Sequence, residues 1–151
     1  MHQYLQPQLG EAELDQLALQ VDEQLAALQH APVSTLRGID GSAAGAGLPD
    51  APAQRETIEQ ATAEPFGTFW QRYRRHLRAD LCQPGGLLHD QWQRYKDVES
   101  KSAVRVSYAW LAAMGIPTGS VAPVAVAASV FLLNVLVKVG IEAICDERPA
   151  A

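Results

Sequence analysis

The residues of this 151-residue chain best suited to metal or nucleophile chemistry are its four histidines and two cysteines. His76, Cys82 and His89 form a His-x5-Cys-x6-His run that could offer zinc two imidazoles and a thiolate, but the spacing is not that of a known knuckle. Both histidines flank Gln83-Pro84-Gly85-Gly86, a turn sequence where exposed polar residues are expected anyway, so no metal is assigned. A nucleophilic serine or cysteine needs a base and an orienting group, commonly presented on a strand-to-helix turn. The chain has neither Gly-x-Ser-x-Gly nor the alternating pattern of strands. No catalytic residue and no cofactor are assigned, and the expectation is a protein that is not an enzyme. Cys82 and Cys145 each follow an apolar run and are read as small core hydrophobes in a reducing compartment, too few to build a disulfide framework.

Two further features could bind anions. The stretch GIDGSAAGAGLPDAP, beginning at Gly38, has the glycines of a phosphate loop but no preceding strand, no Gly-Lys-Ser/Thr and no Gly-x-Gly-x-x-Gly, so it reads as linker. Arg72, Arg74, Arg75, Arg78, Arg94, Lys96, Lys101 and Arg105 gather most of the 12 basic residues into one region. Of these, Arg74, Arg75 and Arg78 form a basic contact face on one helix side. The formal net charge of -5 and the lack of a recognition motif point this eight-residue basic region toward solvent, an acidic protein or the acidic segment at 11–23, and away from nucleic acid.

The elements that would carry these residues all have helical spacing. Leu14, Leu17, Ala18, Val21, Leu25 and Leu28 recur every three or four residues, predicting a helix over 11–29 that ends at Ala31-Pro32. After a short helix near 54–63, Phe66, Phe69, Trp70, Tyr73, Leu77 and Leu81 share the face opposite the arginines. A further helical stretch, 87–114, is expected to break in DVESKS, with Ser100 starting a new helix, because a continuous one would place Glu99 on the apolar stripe. The last helix is expected over 121–145, capped by Ser120, with Pro123 tolerated in the first turn. Asn134, Lys138, Glu142 and Asp146 give it a polar stripe, and Lys138 and Glu142 stand in ion-pair register.

No charged residue lies between Arg105 and Lys138. The uninterrupted part of that span, 121–137, sits at the lower limit for crossing a bilayer, which takes about 17–25 residues. It is rich in alanine, and no polybasic cluster or aromatic belt follows it, so the preferred reading is the central helix of a soluble bundle. In that bundle Asn134 would sit at the exposed or paired end of the helix. The fold class is thus all-α: a helical bundle with a long apolar C-terminal helix and a linked N-terminal amphipathic helix. The domain plan is an amphipathic helix over 1–31, a Gly/Ala/Pro linker over 32–53 and the bundle over 54–148. The N-terminus has no basic or apolar leader pattern, so the expected location is cytoplasmic.

The phrases HLRADLCQPGG at 76–86 and VLVKVGIEAICDE at 135–147 resemble small helical accessory proteins of bacterial conflict and defence gene neighbourhoods. The resemblance implies a helical accessory module and supplies no catalytic residues. Function is therefore expected to be protein association. The seam Leu14, Leu17, Val21, Leu25 and Leu28 would bind a partner helix, most simply in a homo-oligomer, from a mobile arm. The alternative is a small effector or anchor that enters a membrane through residues 121–137, which makes a membrane the other expected partner.

Overall fold

In the computed structural model, which describes residues 10–30, 48–95 and 98–145, every regular element is a helix. The order is α1 (Glu11–Gln29), α2 (Pro52–Thr62), α3 (Phe66–Leu81), α4 (Leu87–Tyr95), α5 (Ser100–Ala113), α6 (Thr118–Lys138) and α7 (Glu142–Cys145). The all-α bundle is as expected from periodicity. At its centre lies α6, packed against α5, α1 and α2, with the α3 aromatics closing the remaining side. A helix apolar on every side needs apolar neighbours on every side, and this arrangement supplies them. Phe131 of α6 meets Phe66 at 4.8 Å and Trp70 at 5.1 Å between ring centroids, within the range of favourable aromatic packing.

The N-terminal helix is a wall of this bundle, not a mobile arm. Leu14, Leu17, Ala18 and Val21 are buried, and α1 packs on α5 and α6 of its own chain. Polar contacts fix it further: Lys101 Nζ lies 3.0 Å from Asp15 and 3.3 Å from Glu11, and Gln54 donates to Gln24 at 2.8 Å. The acidic helix therefore finds its basic partners on α5, one of the destinations expected for that charge. The linker expectation falls mostly on 31–47, outside the described residues. Its end does not survive, because Ala51 is fully buried, Leu48 packs on the core and α2 already begins at Pro52.

Two corners show how the chain is turned. Between α3 and α4, the Asp80 carboxylate accepts hydrogen bonds from the backbone of Leu87 (3.2 Å) and Leu88 (2.9 Å), capping α4 from the preceding helix. A Cβ on Gly86 would stand 1.9 Å from the Asp80 carbonyl oxygen, so only glycine lets the turn pass this close. Between α4 and α5 the chain breaks before Ser100, as the position of Glu99 predicts. Gln91 fastens that corner, accepting from the Glu99 backbone at 3.0 Å and donating to Ser102 Oγ at 2.6 Å.

The last helix departs from expectation at both ends. Pro117 occupies the N-cap position, and the Ser120 N–H donates to the Pro117 carbonyl; the Ser120 side chain makes no cap. At the other end α6 stops at Lys138, and the chain turns at Gly140, with φ at +114°, into the short α7. Glycine is at ease in that region and breaks the helix, so Lys138 and Glu142 no longer stand one turn apart on a common axis. This reversal brings Cys145 to the C-cap of α3, where it forms a disulfide with Cys82. Reading the two cysteines as free, core-filling thiols is thereby corrected, and with it the ground for a reducing compartment.

Candidate docking groove

Where α1, the α4–α5 corner and the C-terminal end of α6 meet, the described residues leave the bundle open. The opening is a groove of about 220 Å³ with apolar walls from Leu25, Trp92, Val98, Leu133, Leu136 and Val137. Asp22 and Glu99 form its rim together with Ser100. It continues along α1 into a shallower depression past Ala18 and Leu19. Two valines at this end of α6 face solvent, Val137 at 58% and Val139 at 53% exposure, and Leu19 lies open at 60%. Among the described residues the opening follows from helix lengths: α6 runs on to Lys138, α4 ends at Tyr95, and Val137 in the last turn of α6 stays exposed.

The rim carboxylates are held by neutral donors. Asp22 Oδ1 accepts from Ser100 Oγ, and Glu99 Oε1 accepts from Gln91 Nε2 at 3.1 Å. Neither carboxylate has a cationic partner among the described residues, whereas Glu11 and Asp15 farther along α1 are matched by Lys101 and Arg105. Those two carboxylates raise the pKa of Lys101 above its ordinary value, Asp15 being the stronger cause.

The expected interaction residues divide. Leu14, Leu17 and Val21 are consumed inside the chain and offer nothing to another molecule. Leu25 and Leu28 are only partly buried against the core, and Leu25 lines the groove. The basic face is likewise partly spoken for. Arg74 donates to the Ile144 carbonyl through Nε (3.3 Å) and an Nη (3.1 Å), Arg72 pairs with Glu64, and Arg75 is exposed. Arg74, Arg75 and Arg78 nonetheless share one depression over Trp70.

The remaining candidate chemistry disperses. His76 stacks on Trp110 at 6.0 Å, and His89 is half buried with its Nδ1 unpartnered, so neither is the simple surface histidine expected beside the turn. No group of three His, Cys, Asp or Glu is placed to hold a metal among the described residues. In the core, Tyr73 Oη and Ser107 Oγ are 2.8 Å apart, and Ser129 Oγ reaches Ser107 at 3.4 Å. Burial pushes the Tyr73 phenol well above its ordinary pKa, against the smaller lowering effect of the Ser107 hydrogen bond. This group is sealed from solvent and links α3, α5 and α6 within the core. Asn134, expected at an exposed or paired helix end, is buried with its Oδ1 unpartnered, because α6 continues a further turn before leaving the bundle.

Sequence reasoning missed Trp92, Leu136 and Val137 as members of one surface. The available signal was Val137-Lys138-Val139, two large apolar residues flanking a charge at the point where the core stripe ends. No protein-family model, curated protein or solved structure matches this chain.

Proposed function

We propose that the protein is a non-enzymatic helical association module whose partner docks in the groove at the α6 end. The observation carrying this reading is an opening in which Leu25, Trp92, Leu136 and the exposed Val137 lie beside a polar rim, so that apolar side chains are left within reach of another molecule. The resemblance to accessory proteins of bacterial defence neighbourhoods accords with an association role. The Cys82–Cys145 bond favours an oxidising compartment as the place of work over the cytoplasm. A photoreactive residue at Val137 should give one discrete adduct in the native host, lost when Leu25 is changed to Asp, while the same residue at exposed Thr68 gives none. Absence of any adduct, together with a monomer mass by light scattering at all concentrations, would end this reading.

A second reading is entry of α6 into a membrane. It is favoured by one observation: α6 is 21 residues long, with a mean hydropathy of 2.2 over its most apolar window, which is long and apolar enough to cross. In the bundle, 78% of that window is buried. Flotation of the refolded protein with anionic vesicles, resistant to carbonate, would establish this second mode, and recovery in the unbound fraction would remove it.

A further inference from the structure

Resting on the docking reading, we infer that the groove takes a cationic amphipathic helix from another protein, with one large apolar side chain seated between Leu25, Trp92 and Leu136 and a lysine or arginine set against Asp22 and Glu99. Size comes first. At about 220 Å³ the groove has room for one leucine or aromatic anchor and falls below the size of drug-sized ligand pockets, about 300–1,000 Å³. Every regular element among the described residues is helical, so no sheet edge is offered for strand addition, and the walls are helix faces suited to receiving another helix.

Charge then selects among helices. The α1 segment carries Glu11, Glu13, Asp15, Asp22 and Glu23 and no cation. Lys101 and Arg105 answer Glu11 and Asp15 only. Asp22 and Glu99 each use one oxygen on a neutral donor, leaving the second oxygen without a partner among the described residues. Lys101 lines the adjoining depression with Asp22 and Glu99, Arg94 shares another with Glu99, and Lys138 follows Val137. Among the described residues, however, none of these cations is within ion-pair distance of Asp22 or Glu99, so the two carboxylates still favour a basic segment over an acidic one.

The test uses the full chain and three labelled synthetic helices of equal length in fluorescence anisotropy: a Leu/Lys amphipathic peptide, its Leu/Glu counterpart and a Ser/Lys peptide lacking the apolar face. The Leu/Lys peptide should bind, and Val137→Asp should abolish its binding. The pair Asp22→Asn with Glu99→Gln should weaken it about five- to tenfold and flatten its salt dependence, as expected for rim charges. Circular dichroism of each variant should match the parent. Ser/Lys binding as strong as Leu/Lys would overturn the seated apolar anchor, and equal binding of the Leu/Glu peptide or an unaffected carboxylate double variant would overturn the cationic partner while leaving docking at Val137 intact. A dimer by light scattering that Val137→Asp dissociates would overturn it in favour of a second copy of this chain. Failure of all three peptides while the Val137 photoadduct persists also overturns it, whereas failure of peptides and photoadduct together removes the docking reading itself.

Discussion

Reducing the Cys82–Cys145 bond should cost this bundle a large share of its stability, and the size of the loss follows from topology. The cross-link joins residues 63 apart, so in the unfolded chain it closes a loop of that length. The chain-entropy relation gives about 4 kcal/mol for such a loop. At the usual sensitivity of a chain this size, that is on the order of 10 °C in Tm. Two interactions limit local damage in the folded state: Ile144 stays fully buried, and Arg74 holds its carbonyl with two hydrogen bonds. The folded state should therefore keep α7 in place after reduction, and the loss should register in the unfolding midpoint with little change in helicity at room temperature. The assay is urea unfolding followed by circular dichroism, with and without a thiol reductant, beside the Cys82→Ser/Cys145→Ser double variant. Reductant should shift the parent to the midpoint of the variant and leave the variant unmoved. A shift under about 1 kcal/mol would refute the loop-entropy reasoning. Two titratable thiols in the non-reduced native protein would refute the bond.

Three other substitutions probe particular contacts. Gly86→Ala should destabilise by at least about 1–3 kcal/mol, because its Cβ has no room beside the Asp80 carbonyl, and denaturant midpoints will show it. Tyr73 has a folded-state pKa above the unfolded one, so its contribution is present below about pH 10 and lost as pH rises beyond. Unfolding should accordingly become easier above about pH 10, and Tyr73→Phe should flatten that alkaline slope while losing the Ser107 hydrogen bond at neutral pH. Asn134→Leu should leave the protein equally stable or more stable by about 1 kcal/mol, since it exchanges an unpartnered buried amide oxygen for an isosteric apolar group; a clear loss of midpoint would mean that the amide serves the fold.

Much of the helical framework was legible because helical periodicity is a local property. The aromatic face of α3 and the break before Ser100 both follow from spacing and from the cost of burying Glu99. What escaped depended on contacts distant in sequence. The stripe Leu14 to Leu28 states that a partner helix is needed but not whether it belongs to the same chain, and the answer lies in α5 and α6, some eighty residues or more away. The cysteines are similar: nothing local to Cys82 or Cys145 tells that a turn at Gly140 will bring them together. The groove was the least legible feature, since it exists only because three helix ends fail to cover one another.

The same geometry weighs association against membrane entry. Freeing α6 for a bilayer requires stripping α1 from it, and the exposed ion pairs of Lys101 and Arg105 are the minor part of that attachment, being screened by solvent. The major part is Leu14, Leu17 and Val21, all buried. At about 1.5–3 kcal/mol for each fully buried aliphatic side chain, their exposure would cost about 5–9 kcal/mol before α2 and α5 are moved at all. That is comparable with the entire stability of an ordinary domain, about 5–15 kcal/mol, so membrane entry by α6 amounts to unfolding the bundle. The groove needs no such rearrangement: its walls already stand open, Val137 is already in water, and the two rim carboxylates are already oriented by Ser100 and Gln91. The proposed partner helix would gain the burial of that surface with the fold intact, which makes docking at the α6 end the less disruptive of the two proposed uses of this architecture.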